Sequence, residues 1–133
     1  MAERFESAIP DEITLNLGAF DEGRLVGYLN FRPYNATHPW VKHIAQFGMM
    51  IFKAYWGNGL GKELLKIQDE HAKRLGILRI EAHVRVKNEH GVRLYTKAGF
   101  SIEGTRKSEA LIDGEMHASY FIAKCFQVSL HTP

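Results

Sequence analysis

The sequence predicts one α/β domain, a mixed sheet with helices on its faces, and three stretches carry that prediction. Residues 78–86 set Leu78, Ile80, Ala82, Val84 and Val86 against Arg79, Glu81, His83 and Arg85, the period of two that defines a strand. From Leu60 to Leu75 the apolar Leu60, Leu64, Leu65, Ile67, Ala72 and Leu75 recur at helical spacing, and Gly76 lies where a C-terminal cap belongs. Between the apolar run Phe47 to Phe52 and that helix stands Trp56-Gly57-Asn58-Gly59-Leu60-Gly61, a glycine loop at a strand-to-helix junction.

The remaining elements follow in chain order. Residues 1–24 form an atypical N-terminal segment in which Ala8 to Phe20 reads as strand or turn. Leu25 to Phe31 is a strand, and Pro33-Tyr34-Asn35-Ala36-Thr37-His38-Pro39 is a loop of turn formers. His43 to Phe52 is the strand that leads into the glycine loop. After the strand at 78–86, residues 89–98 form a short helix ended by Gly99. Phe100 to Thr105 and Met116 to Phe126 are the last strands, with Ile112-Asp113-Gly114-Glu115 as a hairpin turn through Asp-Gly.

Length and composition bound the function. A chain of 133 residues, 45% hydrophobic and 24% charged, is one ordinary globular domain without linker or repeat. The net charge is +2 and Lys and Arg are dispersed, which argues against nucleic acid as partner. No apolar run approaches the ~20 residues that span a bilayer, so no membrane is expected. The lone Cys125 can form no internal disulfide, which suits a reducing, cytoplasmic compartment. Cys125 is expected to be a small buried hydrophobe rather than a nucleophile. No cluster has metal-ligand spacing, so no metal is implied.

The loop suggests chemistry. Gly57, Gly59 and Gly61 clear side chains from a bend whose backbone N–H groups can converge on an anion, helped by the dipole of the following helix. A Walker loop would need glycine at Trp56 and Ser or Thr at Glu63, and the dinucleotide fingerprint would need glycine at Lys62. What remains, Trp56, Gly59 and Gly61, resembles the pyrophosphate-binding signature of the GNAT (N-acetyltransferase) superfamily, with Trp56 in place of the usual Gln or Arg. Residues 79–100 are similar to a second family motif, a strand ending near Asn88, then a helix carrying Leu94-Tyr95 and closing in Gly99-Phe100. The resemblance covers about residues 24–126.

That resemblance implies a GNAT-like mixed, mostly antiparallel sheet flanked by helices, with an acetyl-CoA-binding core over 25–126 in a single domain. It implies an acetyl-CoA-dependent acyltransferase that moves an acetyl group directly to a primary amine of a small molecule or amino acid. Backbone groups of Met49, Met50 and Ile51 would pair with the pantetheine arm, and Trp56, Gly57, Asn58, Gly59, Leu60, Gly61 and Lys62 would hold the pyrophosphate. Asn88 would contact the pantetheine or cap its helix, and Tyr95 would protonate the departing thiolate. Many family members carry a basic Glu before the loop, where this chain has Gln46 and His43; Glu81 is the catalytic candidate for that work, with His83, Glu115 and His117 as others. The stretch Asp113 to Tyr120 is similar to a subgroup acting on amino acids and small amines, which often has an acidic residue at Ala118. Family members usually place a strand and two helices before the strand at 25–31. Either the chain is a shortened variant or a fragment, or a partner subunit, as in a homodimer, completes the acceptor cleft. The alternatives are a CoA-binding regulatory module without turnover, a protein N-terminal acetyltransferase, and a nucleotide-phosphate binder of another fold.

Overall fold

The computed structural model describes residues 3–8 and 13–126. Seven strands, β1 (Glu3–Ala8), β2 (Leu15–Asp21), β3 (Arg24–Pro33), β4 (Ile44–Ile51), β5 (Arg79–Arg85), β6 (Ser101–Ile112) and β7 (Glu115–Cys125), form one sheet in the order β1-β2-β3-β4-β5-β7-β6. Every neighbouring pair is antiparallel except β4 and β5, which run parallel. Helix α1 (Leu60–Arg74) connects that parallel pair, and α2 (Glu89–Lys97) follows β5.

Both helices pack on the same face of the sheet. Leu64, Leu65 and Ala72 of α1 join Leu15, Leu29, Phe31, Ile80 and Ile122 in one continuous apolar core, so the α1 stripe read from sequence is its buried side. Lys124 of β7 ties the helices down, its Nζ donating to Asp69 Oδ2 at 2.6 Å and to the Ala98 carbonyl at 2.7 Å. The opposite face, which carries Arg32, Gln46, Glu81 and His83, has no helix over it among the described residues. No helix among them is long and apolar enough to cross a membrane.

Local chemistry explains the turns. Asp113 (φ 51°) and Gly114 (φ 77°) are both left-handed, the pair of conformations that suits a tight hairpin between twisted strands. Glu22 (φ 49°) and Gly23 (φ 79°) make the same turn between β2 and β3. The stretch Ala8 to Phe20, read as strand or turn, contains the end of β1 and most of β2, and its residues 9–12 lie outside the described residues. Two expectations are corrected. The strand begun at Phe100 runs to Ile112 instead of ending at Thr105, because pairing with β7 holds a segment whose residues are nearly all exposed. Cys125, expected to be buried, is exposed, because it ends β7 beside Arg79 at the rim of the sheet.

Candidate functional site

The site begins where β4 and β5 part. Their parallel ladder covers only Ile44 with Arg79, Ala45 with Ile80 and Gln46 with Glu81. Beyond it, β4 continues to Ile51 with no strand on its β5 side. The Phe52 N–H donates to the Val26 carbonyl of β3 at 3.0 Å, so by alternation Met50 and Gly48 also face β3, while Met49 and Ile51 turn their N–H and C=O toward the gap. The Ile51 carbonyl is taken by Trp56 Nε1 at 2.8 Å. Of the three residues expected to offer main chain to an extended ligand, Met49 and Ile51 are turned the right way. Met50 is not: its backbone belongs to the β3 ladder opposite Tyr28.

A cavity of about 190 Å³ opens on the helix side of this gap, lined by Met49, Met50, Ile51, Trp56, Asn88 and Tyr95 together with Arg85, His90, Gly91 and Leu94. A second, of about 180 Å³, adjoins it through the shared Ile51, Trp56, His90 and Leu94 and is walled by Gly57, Gly59, Leu60, Gly61 and Lys62. Gly57 (φ 82°) and Gly59 (φ 85°) are left-handed, and an added Cβ on either would project into open space. The bend is thus bare on its outer side, with the start of α1 behind it. Gly61 serves a different purpose, since a Cβ there would lie 2.7 Å from Leu94 Cδ2; its absence lets α1 and α2 close together. Asn58 turns inward to α1, its Oδ1 accepting from the Leu60 N–H at 3.3 Å. Asn88 caps α2 by accepting from the Gly91 N–H at 3.0 Å.

Trp56 is more than a packing residue. Its indole stacks on the His90 imidazole with ring centroids 4.3 Å apart and planes 5° from parallel. With the bond to Ile51, this fastens the glycine loop to both β4 and α2. His90 escaped the sequence reading because only its position just after the Asn88 cap hinted that it faced the loop.

Tyr95 is buried against Phe47, at a centroid distance of 5.6 Å, and Phe100, at 6.0 Å. Burial pushes its phenol up to about 12, and no described residue bonds its hydroxyl. The hydroxyl therefore stays protonated at neutral pH and has its donor to spare, beside the main chain of Met49.

Two further cavities, of about 590 Å³ and 330 Å³, lie on the helix-free face and share Gln46, Glu81 and His83. Phe47, whose ring packs on Tyr95, is also among the residues lining the smaller one. Glu81 and Tyr95, the two catalytic candidates, thus line cavities on opposite faces. Glu81 Oε2 accepts from Arg79 Nε at 2.7 Å, and Arg79 also grips Glu103. The Arg79 guanidinium is held above its ordinary value chiefly by Glu103, whose own carboxyl is held low in return. Among the other base candidates, His43 lends its carbonyl to the Leu78 and Arg79 N–H groups, and Glu115 is paired with Lys87 at 2.5 Å, which lowers its carboxyl. His117 Nδ1 is buried without a partner among the described residues. Among the described residues, no three His, Cys, Asp or Glu side chains are grouped to hold a metal ion.

A half-open mixed sheet with a bare, helix-backed bend at the gap between two parallel strands defines an α/β protein with an open cleft in its sheet. The chain belongs to the acetyltransferase (GNAT) family, whose model matches residues 2–100. It is 33% identical over 104 residues to the L-amino acid N-acetyltransferase AaaT of Escherichia coli, an alignment covering 77% of this chain and 63% of that protein. The chain spans about three-fifths of the length of the curated relatives it matches. Among solved structures, an acetyltransferase of the GNAT family from Streptococcus pneumoniae superposes with a TM-score of 0.79 at 34% identity, covering 86% of this chain and 68% of the other. A phosphinothricin acetyltransferase from Sinorhizobium meliloti, in complex with AcCoA, shares the fold with a TM-score of 0.77 at 19% identity, covering 88% and 63%.

Proposed function

We propose that the chain is an acetyl-CoA-dependent N-acetyltransferase that moves the acetyl group directly to the primary amine of an amino acid or a related small amine. The observation that carries this reading is the convergence, at the β4–β5 gap, of unpaired main chain, a bare glycine bend and an unbonded, protonated phenol. Acetyl-CoA supplies a thioester, an acyl group already activated toward nitrogen. The open Met49 groups and the Ile51 N–H fit its pantetheine arm as an added strand would, and the Met49 N–H is suited to polarise the thioester carbonyl. The diphosphate fits against Gly57, Gly59, Gly61 and Lys62, where no Cβ intrudes and the α1 dipole is favourable. Tyr95 then donates its proton to the leaving sulfur.

The acceptor enters from the helix-free face. There Glu81 attracts an ammonium, while Arg32 and Arg106, in the flanking cavities, supply positive charge for a carboxylate. That arrangement favours an α-amino acid over a plain amine, and the likeness to an L-amino acid N-acetyltransferase supports the same choice.

The test is release of free CoA thiol with a panel of amino acids, polyamines and a peptide N-terminus, alongside calorimetric CoA binding. Turnover is expected with amino acids. Tight CoA binding with equal lack of turnover in wild type and Tyr95→Phe would replace this reading by that of a CoA-binding regulatory module.

A further inference from the structure

Across the helix-free cavities, His83 of β5 meets Glu109 of β6. His83 Nδ1 lies 3.1 Å and 3.2 Å from the two Glu109 carboxylate oxygens. A carboxylate only accepts, so Nδ1 carries the hydrogen, and in the neutral ring the second nitrogen, Nε2, then holds the lone pair. No described residue bonds Nε2, while the ring lines both acceptor-side cavities and stands edge-on against Phe121 at 5.4 Å.

The backbone of β6 is distorted where this contact is made. Its register against β7 shifts between Arg106 and Ala110, and Ser108 takes a φ of 54°. A left-handed non-glycine residue persists only where its surroundings hold it there, and a bulge redirects the side chains around it. Here Glu109, one residue on, turns over the sheet face, bonds His83 and also receives Arg106 Nε at 3.3 Å. Glu81, the other basic group in the cavity, bonds Arg79 through Oε2 alone among the described residues, which leaves Oε1 to hold an ammonium.

Building on the transferase reading, we propose that His83 is the general base toward the acceptor amine and that Glu109 is its positioning residue, with Glu81 holding the ammonium beforehand. One proton of the ammonium passes to His83 Nε2, directly or through one water. The freed nitrogen lone pair forms the C–N bond at the thioester carbon, and the C–S bond breaks. The sulfur takes the Tyr95 proton, and the second proton shed by nitrogen returns to the phenolate through water. His83 gives its proton to solvent as the amide leaves.

The charged groups facing His83 are Glu109 and Arg106 on β6, Glu81 on β5 itself and Arg32 on β3, while Tyr34, Gln46 and Phe121 complete the wall. The experiment is a pH profile of kcat/KM in wild type, His83→Gln, Glu109→Gln and Glu81→Gln, each checked for folding by circular dichroism. His83→Gln is expected to lose roughly 100-fold in kcat/KM and its acid limb with it. Glu109→Gln keeps an acid limb and lowers kcat/KM less than His83→Gln does, because the imidazole remains but loses the carboxylate that orients it. Glu81→Gln raises the acceptor KM and leaves the limb in place. An acid limb and rate unchanged in His83→Gln, or a limb lost only in Glu81→Gln, would overturn the assignment. A second readout does not need turnover: 15N spectra of the imidazole should show the Nδ1–H form of His83 in wild type and its loss in Glu109→Leu, which offers no acceptor. If wild type turns over no amine while that spectrum holds, the transferase reading fails and the dyad survives as a structural unit. If it turns over and the spectrum shows Nε2–H, the dyad fails alone.

Discussion

Replacing Tyr95 by Phe removes a hydroxyl that bonds to nothing among the described residues, so the ring can keep its place between Phe47 and Phe100. The expected outcome is CoA affinity unchanged by calorimetry, with thiol release reduced about 100-fold. The same residue makes an alkaline prediction. Its folded pKa, about 12 against an ordinary 10, means the folded state holds the proton more tightly than the unfolded one. Stability is then full below pH 10 and falls as pH rises toward 12, by at most about 3 kcal/mol. Urea midpoints between pH 9 and 11 should fall more steeply in wild type than in Tyr95→Phe. Gln68 offers a contrasting residue. Fully buried in α1, it has no partner among the described residues for either Nε2 or Oε1, and Gln68→Leu is expected to raise stability by about 1 kcal/mol in the same measurement. What sequence conveyed at this scale was the residue whose chemistry is local. Gly57 and Gly59 announced a left-handed bend, and Asn88 announced a cap. The pairing of His83 with Glu109 was hidden, because it joins positions 26 apart through a backbone distortion that no local pattern encodes.

At the scale of elements, the closeness of α1 and α2 depends on Gly61. Gly61→Ala would drive a methyl into Leu94, costing about 1–3 kcal/mol and weakening CoA binding more than Gly57→Ala weakens stability. Thermal unfolding and calorimetry on the two variants separate these effects. Lys124 fastens both helices to β7; Lys124→Ala leaves Asp69 without its partner and the Ala98 carbonyl short of a donor, and should cost about 2 kcal/mol. The elements most legible in the sequence were those buried on one side. β5 and α1 alternate because each has a wet and a dry side, and their ends were placed within about a residue. The second half of β6 gave no signal, since both of its sides are exposed and its strand state is owed to its partner β7. The β2–β3 hairpin was missed because its tight turn uses Glu22, a residue seldom left-handed, rather than Asn or Asp.

For the molecule as a whole, the sheet is covered by helices on one side and carries on the other the cavities proposed for the acceptor. A second copy completing that open side remains the expectation for the assembled protein. Sedimentation equilibrium should show a dimer, and full turnover by a monomer would remove it. The parting of β4 from β5 has a kinetic consequence of its own. Because the two entrances lie on opposite sides of the sheet, neither reactant blocks the path of the other, and both must be present together for the acyl carbon to meet nitrogen. Initial velocities should therefore give intersecting double-reciprocal lines rather than parallel ones, and the acetylated product should be able to depart while the spent carrier is still seated.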